Sequence, residues 1–307
     1  MARVYVTRAL PGAALARLRA SDGVDVVVHD GSLPPTSAEL RAGVAEADGL
    51  LCLLTDRVDA ALLEAAPRLR VVSNYAVGRD NIDLEAARAR GIAVGVTPDV
   101  LTEASADLAF ALLLAAARGL VTAAADVRAG RWRTWEPQGW LGVDVHGATL
   151  AIVGAGRIGL AVARRAEGFA MRVLTVGRDD DLHAALAQAD FVSLHVPLTD
   201  ATRGLVDAAA LRAMKPTAIL VNTARGGVVD QVALRAALVA GEIAGAALDV
   251  TDPEPLPADD PLLSAPNLLV VPHIASATHA TRERMAEMAV DKLLAGLAGD
   301  PLPHSAT

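Results

Sequence analysis

The chain has 307 residues, 53% of them hydrophobic and only 3% aromatic, so two packed domains with cores of Ala, Val and Leu are expected. Its formal charge is −8, and its Lys and Arg residues are scattered among acids rather than gathered in a stripe, which argues against a nucleic-acid partner. One cysteine, Cys52 in an apolar run, excludes an intrachain disulfide and a thiolate metal cluster and reads as a small buried hydrophobe.

The first residues enter a strand pattern at once and lack the apolar core of a signal peptide. The longest nearly uncharged stretch, residues 108–117, is far too short to span a bilayer, so a cytoplasmic protein without a membrane partner is expected. Short apolar runs at 4–7, 24–28, 50–54 and 71–73 have the character of buried strands. Segments of helical spacing, such as 36–47 and 60–66, lie between them. This βαβ alternation predicts a parallel sheet over roughly the first hundred residues.

A long helix is predicted from Thr102 to about residue 129, stopped by Gly130 and followed by a loop with Trp132, Trp135 and Trp140. A second alternating series then begins, with strands at 148–153, 172–176, 191–195, 218–221, 246–249 and 268–271. A final helix over 281–297 precedes a Gly/Pro tail expected to fray. The expected fold class is α/β, with two Rossmann-like doubly wound parallel-sheet domains. The glycine-rich turn belongs to the second series, so the first domain is expected to be interrupted and completed by the last helix, as 1–98 plus 284–307 around 99–283.

Gly154-Ala-Gly156-Arg157-Ile158-Gly159 follows the strand at 149–153 and opens a helix. Gly154 suits the tight turn, Gly156 lets backbone amides approach a pyrophosphate, and Gly159 lets helix and strand pack closely. The helix N-terminus then offers free N–H groups and partial positive charge to phosphates. A strand before and a helix after turn this common glycine pattern into a dinucleotide site. The next strand ends in Val176-Gly177-Arg178, with no carboxylate where an NAD site holds its ribose. Arg178 suits a 2′-phosphate, so NADPH is expected and NADH is left possible. Asp179, Asp180 and Asp181 weigh the other way, but a solvated helix start accounts for them.

Three further segments end predicted strands on the same edge: Asn222-Thr223-Ala224-Arg225-Gly-Gly, Asp249-Val-Thr-Asp-Pro-Glu254-Pro and Pro272-His273-Ile-Ala-Ser276. With Tyr75-Ala76-Val77-Gly78-Arg-Asp-Asn-Ile-Asp83 and the segment Thr97-Pro-Asp-Val-Leu-Thr102-Glu, the sequence resembles the D-isomer-specific 2-hydroxyacid dehydrogenases, and within them the glyoxylate/hydroxypyruvate reductases. The resemblance covers most of the chain and rests on dispersed motifs in the right order. It implies reduction of a small 2-oxo acid to the D-2-hydroxy acid, with a substrate domain around an inserted cofactor domain. Other members of the family, of phosphoglycerate, phosphite or formate type, and nucleotide-sensing corepressors of related fold stay open as alternatives.

The chemistry asks for these residue types. Imidazole titrates nearest neutral pH, which suits His273 as proton donor. A facing Glu254 would orient the ring and favour imidazolium. Arg225 would hold the substrate carboxylate and polarise the carbonyl with its fork of donors. The family's catalytic Arg, Glu and His fall on these positions. By the same resemblance, Leu53, Ala76, Val77 and Gly78 contact substrate. Thr102, Val196, Pro197, Thr223, Ala224, Asp249 and Ser276 join the glycine turn, Gly177 and Arg178 in holding the cofactor.

Taken singly, each of these side chains has a plainer explanation in packing, capping or a loop charge; together they point to turnover. His195, inside Ser-Leu-His-Val-Pro, reads as a satisfied core histidine. His273 and His279 have no third ligand at metal-binding spacing, so no metal is expected. A homodimer built on the long helix and its loop is implied by the resemblance, with Trp132 or Trp135 as the residue that would reach a neighbouring subunit's pocket.

Overall fold

The structure is a computed structural model and describes residues 1–302. Residues 303–307, the end of the expected tail and of the expected C-terminal domain segment, lie outside the described residues. The chain forms two compact units, Met1–Leu101 with the described residues from Ala277 onward, and Thr102–Ser276. The second is thus inserted into the first. The return point lies at Ala277, ahead of the expected residue 284, because the last helix, His279–Ala298, packs along its length on the first sheet.

The first unit holds β1 (Ala2–Val6), β2 (Val24–Val28), β3 (Gly49–Cys52), β4 (Val71–Asn74) and β5 (Ala93–Gly95), all parallel, in the order β2-β1-β3-β4-β5. Strand alternation sorts the side chains onto two faces. Leu50, Cys52, Val72 and Val94 pack with Leu40, Val44, Leu62 and Leu63 from the helices Ser37–Val44 and Ala60–Glu64. The other face takes helix His279–Ala298, where a Cβ on Gly296 would sit 2.5 Å from Val71 Cγ2, so the glycine permits the close approach. Ser73 Oγ donates to the Ala289 carbonyl at 2.7 Å across this contact. The three-residue β5 has too few residues to show a pattern and was not among the predicted strands.

The second unit holds β6 (Thr149–Val153), β7 (Arg172–Val176), β8 (Phe191–Leu194), β9 (Ile219–Asn222), β10 (Gly245–Leu248) and β11 (Leu268–Val270), also all parallel, in the order β11-β10-β9-β8-β6-β7. Leu150, Ile152, Phe191 and Val221 face helices Thr102–Ala117 and Arg157–Glu167, while Ala151, Val153, Val192 and Leu220 face the helices beyond. Helices on both faces make each unit Rossmann-like and doubly wound.

The single long helix expected from Thr102 to residue 129 is two helices, Thr102–Ala117 and Leu120–Arg128, bent by 60°. Gly119, with φ +55°, takes a left-handed conformation that ends the first helix, and the apolar Ala-rich sequence around it conceals the break. Among the described residues no single helix is long and apolar enough to cross a membrane.

Candidate active site

The second sheet reverses its winding between β6 and β8, and open α/β sheets bind ligands beyond the strand ends at such a point. The glycine turn lies there. Gly154 has φ +96°, and a Cβ on it would come 2.8 Å from the His195 carbonyl carbon and 2.9 Å from Val196 Cγ1. A Cβ on Gly159 would lie 2.3 Å from the Gly154 oxygen, so the first turn of helix Arg157–Glu167 packs directly on the loop. Gly156 is that helix's N-cap without a side-chain cap, and a Cβ there would meet nothing within 4 Å. The amides of Arg157 and Ile158 therefore begin a helix that faces open space. This is a cradle for a dinucleotide pyrophosphate, and the residues fit the group. The Thr223 hydroxyl oxygen, buried and without a hydrogen-bond partner among the described residues, adds an unused polar atom at the end of β9.

Arg178 follows β7 and is exposed. The acids after it have local partners: Asp180 Oδ2 accepts the Gly177 amide at 2.7 Å, and Asp181 caps helix Leu182–Leu186 through the Ala184 amide at 3.0 Å.

The turn after β11 carries His273 with φ +52°. Its amide donates to the Asp249 carbonyl at 2.9 Å and the Val271 carbonyl at 3.1 Å. The Asp249 carboxylate accepts the next two amides, Ile274 at 2.6 Å and Ala275 at 3.0 Å. Burial pushes the Asp249 carboxyl above its usual range. Asp249 thus holds the backbone turn that presents the histidine. The ring itself meets Glu254: Nδ1 to Oε1 is 2.5 Å, with the side chains 23% and 31% exposed. Nε2 makes no hydrogen bond among the described residues, so the far side of the ring is open to a ligand.

Glu254 and Arg225 are placed by loops that lock together. A Cβ on Gly226 would come 2.0 Å from the Thr251 carbonyl carbon, so only glycine lets the Arg225 loop rest on the loop leading to Glu254. Asn222 braces the first loop from within, its Nδ2 donating to the Arg225 carbonyl at 2.9 Å and its Oδ1 accepting the Ala224 amide at 3.0 Å. Gln231 Oε1 accepts the Asp252 amide at 3.0 Å and steadies the second. Arg225 Nη1 donates to the Ala224 carbonyl at 2.8 Å. A carboxylate-paired histidine, a strand-end arginine and a phosphate cradle therefore share the carboxyl edge of one sheet.

Comparison with known proteins accords with this arrangement. The family model for "D-isomer specific 2-hydroxyacid dehydrogenase, NAD binding domain" matches residues 110–275. A glyoxylate reductase of Korarchaeum cryptofilum is 50% identical over 98% of this chain and 95% of its own. The chain belongs to the D-isomer specific 2-hydroxyacid dehydrogenase family. Among solved structures, a protein from Thermus thermophilus superposes with a TM-score of 0.93 at 51% identity, covering 99% of this chain and 100% of that one. An NADPH-dependent glyoxylate/hydroxypyruvate reductase from Sinorhizobium meliloti gives 0.85 at 34%, covering 100% and 98%.

The remaining positions that the family resemblance singles out fall in both units. In the second, Thr102 opens helix Thr102–Ala117, Val196 and Pro197 follow β8, and Ser276 lies buried at the end of the His273 turn. In the first, the amides of Val77 and Gly78 make no hydrogen bond among the described residues, which leaves both donors for a ligand. Ala76 is pinned just before them by accepting the Thr97 amide at 2.8 Å. Leu53 is fixed at both ends, its amide donating to Asp56 Oδ2 at 2.7 Å and its carbonyl accepting Asn81 Nδ2 at 3.1 Å. Asn222, Gly226, Gln231, Asp56 and Asn81 are supports that the sequence reading missed. Only the Asn-Thr-Ala-Arg-Gly-Gly run hinted at the first two.

Proposed function

We propose that this dehydrogenase reduces a small 2-oxo acid, glyoxylate or hydroxypyruvate, to the D-2-hydroxy acid, with NADPH preferred and NADH as the lesser donor. The observation that carries this is the His273–Glu254 pair, 2.5 Å apart with Nε2 of the ring open. When bound, the nicotinamide supplies the hydride that reduces the carbonyl carbon. His273 Nε2 gives the carbonyl oxygen its proton, and Glu254 fixes the ring's orientation. Arg225 binds the substrate carboxylate and polarises the carbonyl. The resemblance to the family adds Leu53, Ala76, Val77 and Gly78 as substrate contacts, and the free amides of Val77 and Gly78 suit that task.

Gly154, Gly156, Arg157, Ile158 and Gly159 hold the pyrophosphate, helped by Thr102, Val196, Pro197, Thr223, Ala224 and Ser276. Asp249 serves the cofactor by positioning the turn from His273 to Ser276. The preference for NADPH rests on Arg178 at the end of β7, where no acidic residue directly follows the strand, and on the NADPH-dependent relative. A homodimer is supported by an exposed apolar stretch with Leu120, Val121, Val127, Trp132, Trp135 and Leu141, each at least half exposed. Trp135, 79% exposed, is the residue best placed to reach a partner.

Initial rates with glyoxylate and hydroxypyruvate, each with NADPH and NADH, test the reading. Turnover that is faster with NADPH supports it. Faster turnover with NADH removes the cofactor preference, and no turnover of either acid removes the substrate class.

A further inference from the structure

The strand that ends beside the glycine turn is β7. Val176 pairs with Val153 of β6, and the Gly154 amide donates to the Val176 carbonyl at 2.9 Å. The residues after Val176 therefore adjoin the pyrophosphate cradle. In dinucleotide folds this strand end meets the adenosine ribose and decides between a 2′-hydroxyl and a 2′-phosphate. By sequence the strand runs into Gly177 and Arg178, and neither is acidic.

The fold returns a carboxylate to this place from three residues further on. The Gly177 amide donates to Asp180 Oδ2 at 2.7 Å, and a Cβ on Gly177 would lie 3.3 Å from the same oxygen. Glycine thus leaves the room in which the carboxylate rests against the strand end. Asp180 Oδ1 makes no hydrogen bond among the described residues, so one oxygen holds the loop and the other is unused. Neither Asp180 nor Arg178 forms an ion pair among the described residues, so the two charges beside β7 act separately. Asp181 is engaged as the cap of helix Leu182–Leu186 and takes no part. The Asp180 carboxylate occupies a backbone amide that a phosphate oxygen would accept, and it opposes a second anion brought to the same strand end. A 2′-hydroxyl carries no charge and has a proton to donate to the unused oxygen.

We propose that Asp180 is a specificity-determining residue of the cofactor site, a built-in carboxylate that opposes a 2′-phosphate and offsets the attraction of Arg178. The enzyme then takes both nucleotides, and its preference for NADPH is held to a modest ratio. The inference deepens the proposed function and rests on its placement of the dinucleotide at the glycine turn.

The test is calorimetric binding of adenosine 2′,5′-bisphosphate and 5′-AMP, fragments that differ only in the 2′-phosphate, to the full chain and to Asp180→Asn. Asparagine keeps an oxygen for the Gly177 amide and removes the charge. Asp180→Ala also frees the amide, and circular dichroism checks that both variants fold. The bisphosphate should bind about tenfold more tightly to either variant, while 5′-AMP stays within about threefold. NADPH and NADH should follow the same pattern, and the gain should shrink at about 0.5 M salt, where charges are screened. Unchanged affinity for the bisphosphate, or equal tightening of both fragments, would overturn the proposal. Wild type that binds NADH more tightly than NADPH would remove the proposed cofactor preference, yet selective tightening in Asp180→Asn would still support this role for Asp180. Binding of neither nucleotide would overturn both readings.

Discussion

Two turns on the carboxyl edge of the second sheet each carry a histidine, and their surroundings differ. After β8, His195 meets one hydroxyl, Ser193 Oγ at 2.8 Å from Nε2, and burial pushes its pKa down to about 4. After β11, His273 stands in a left-handed turn pinned by Asp249, with Glu254 against Nδ1 and its other nitrogen open. The first ring is neutral packing behind the glycine turn. The second carries a carboxylate on one nitrogen and presents the other, the arrangement that the proposed proton donor requires. Both follow strand ends of the same sheet, so the partner on the ring decides the role, not the position in the fold.

Arg225 lies on the same sheet edge as His273, and removing its charge is expected to cost about as much as removing the His273 ring. Arg225→Gln should lower kcat/KM by about a thousandfold, the upper range for loss of a transition-state donor, as measured by initial rates with glyoxylate. Glu254→Gln keeps the size of the partner but removes its charge, and kcat should fall by about a hundredfold with KM little changed. A loss confined to KM would make Glu254 a binding group and weaken the contrast with His195. Arg178→Ser should raise KM for NADPH by about tenfold and leave KM for NADH within about twofold, since only the 2′-phosphate is lost as a partner.

The smallest effect on turnover is expected at His195, where the consequence is stability. The unfolded ring takes up a proton near 6.5, the native ring only near 4. The native state is therefore favoured above pH 6.5, and this advantage is lost as pH falls from 6.5 through about 4, by up to about 3 kcal/mol. Urea unfolding of wild type and His195→Gln at pH 7.5 and 4.5 checks it. The wild type should lose more stability across that interval than the variant, and parallel losses would show that the ring does not titrate as a buried group.

Much of this arrangement was legible in the sequence, for physical reasons. Central parallel strands, buried on both faces, read as short apolar runs, and the half-buried edge strands β2, β7 and β11 keep enough Val and Leu to read alike, while the three residues of β5 did not stand out. The glycine turn was legible because each glycine has a separate steric duty. The break at Gly119 was not, because the alanine-rich run continues through it with no other interruption of helical character. Arg225, Glu254 and His273 could be named from local motifs. What holds them could not: the contact of Gly226 with Thr251 and the Gln231–Asp252 bond join loops that are distant in the chain. A cavity lined by Arg8 and Arg282 was invisible for the same reason, since the two line it together only because the last helix returns to the first sheet.

The most direct test sets the two histidines side by side. His273→Asn and His195→Asn are purified, shown to be folded by circular dichroism, and assayed with glyoxylate and NADPH at pH 7. The account predicts that the first loses about a thousandfold or more in kcat, while the second stays within about threefold of wild type. Comparable losses in both, or a His273→Asn enzyme that retains most of its turnover, would contradict it.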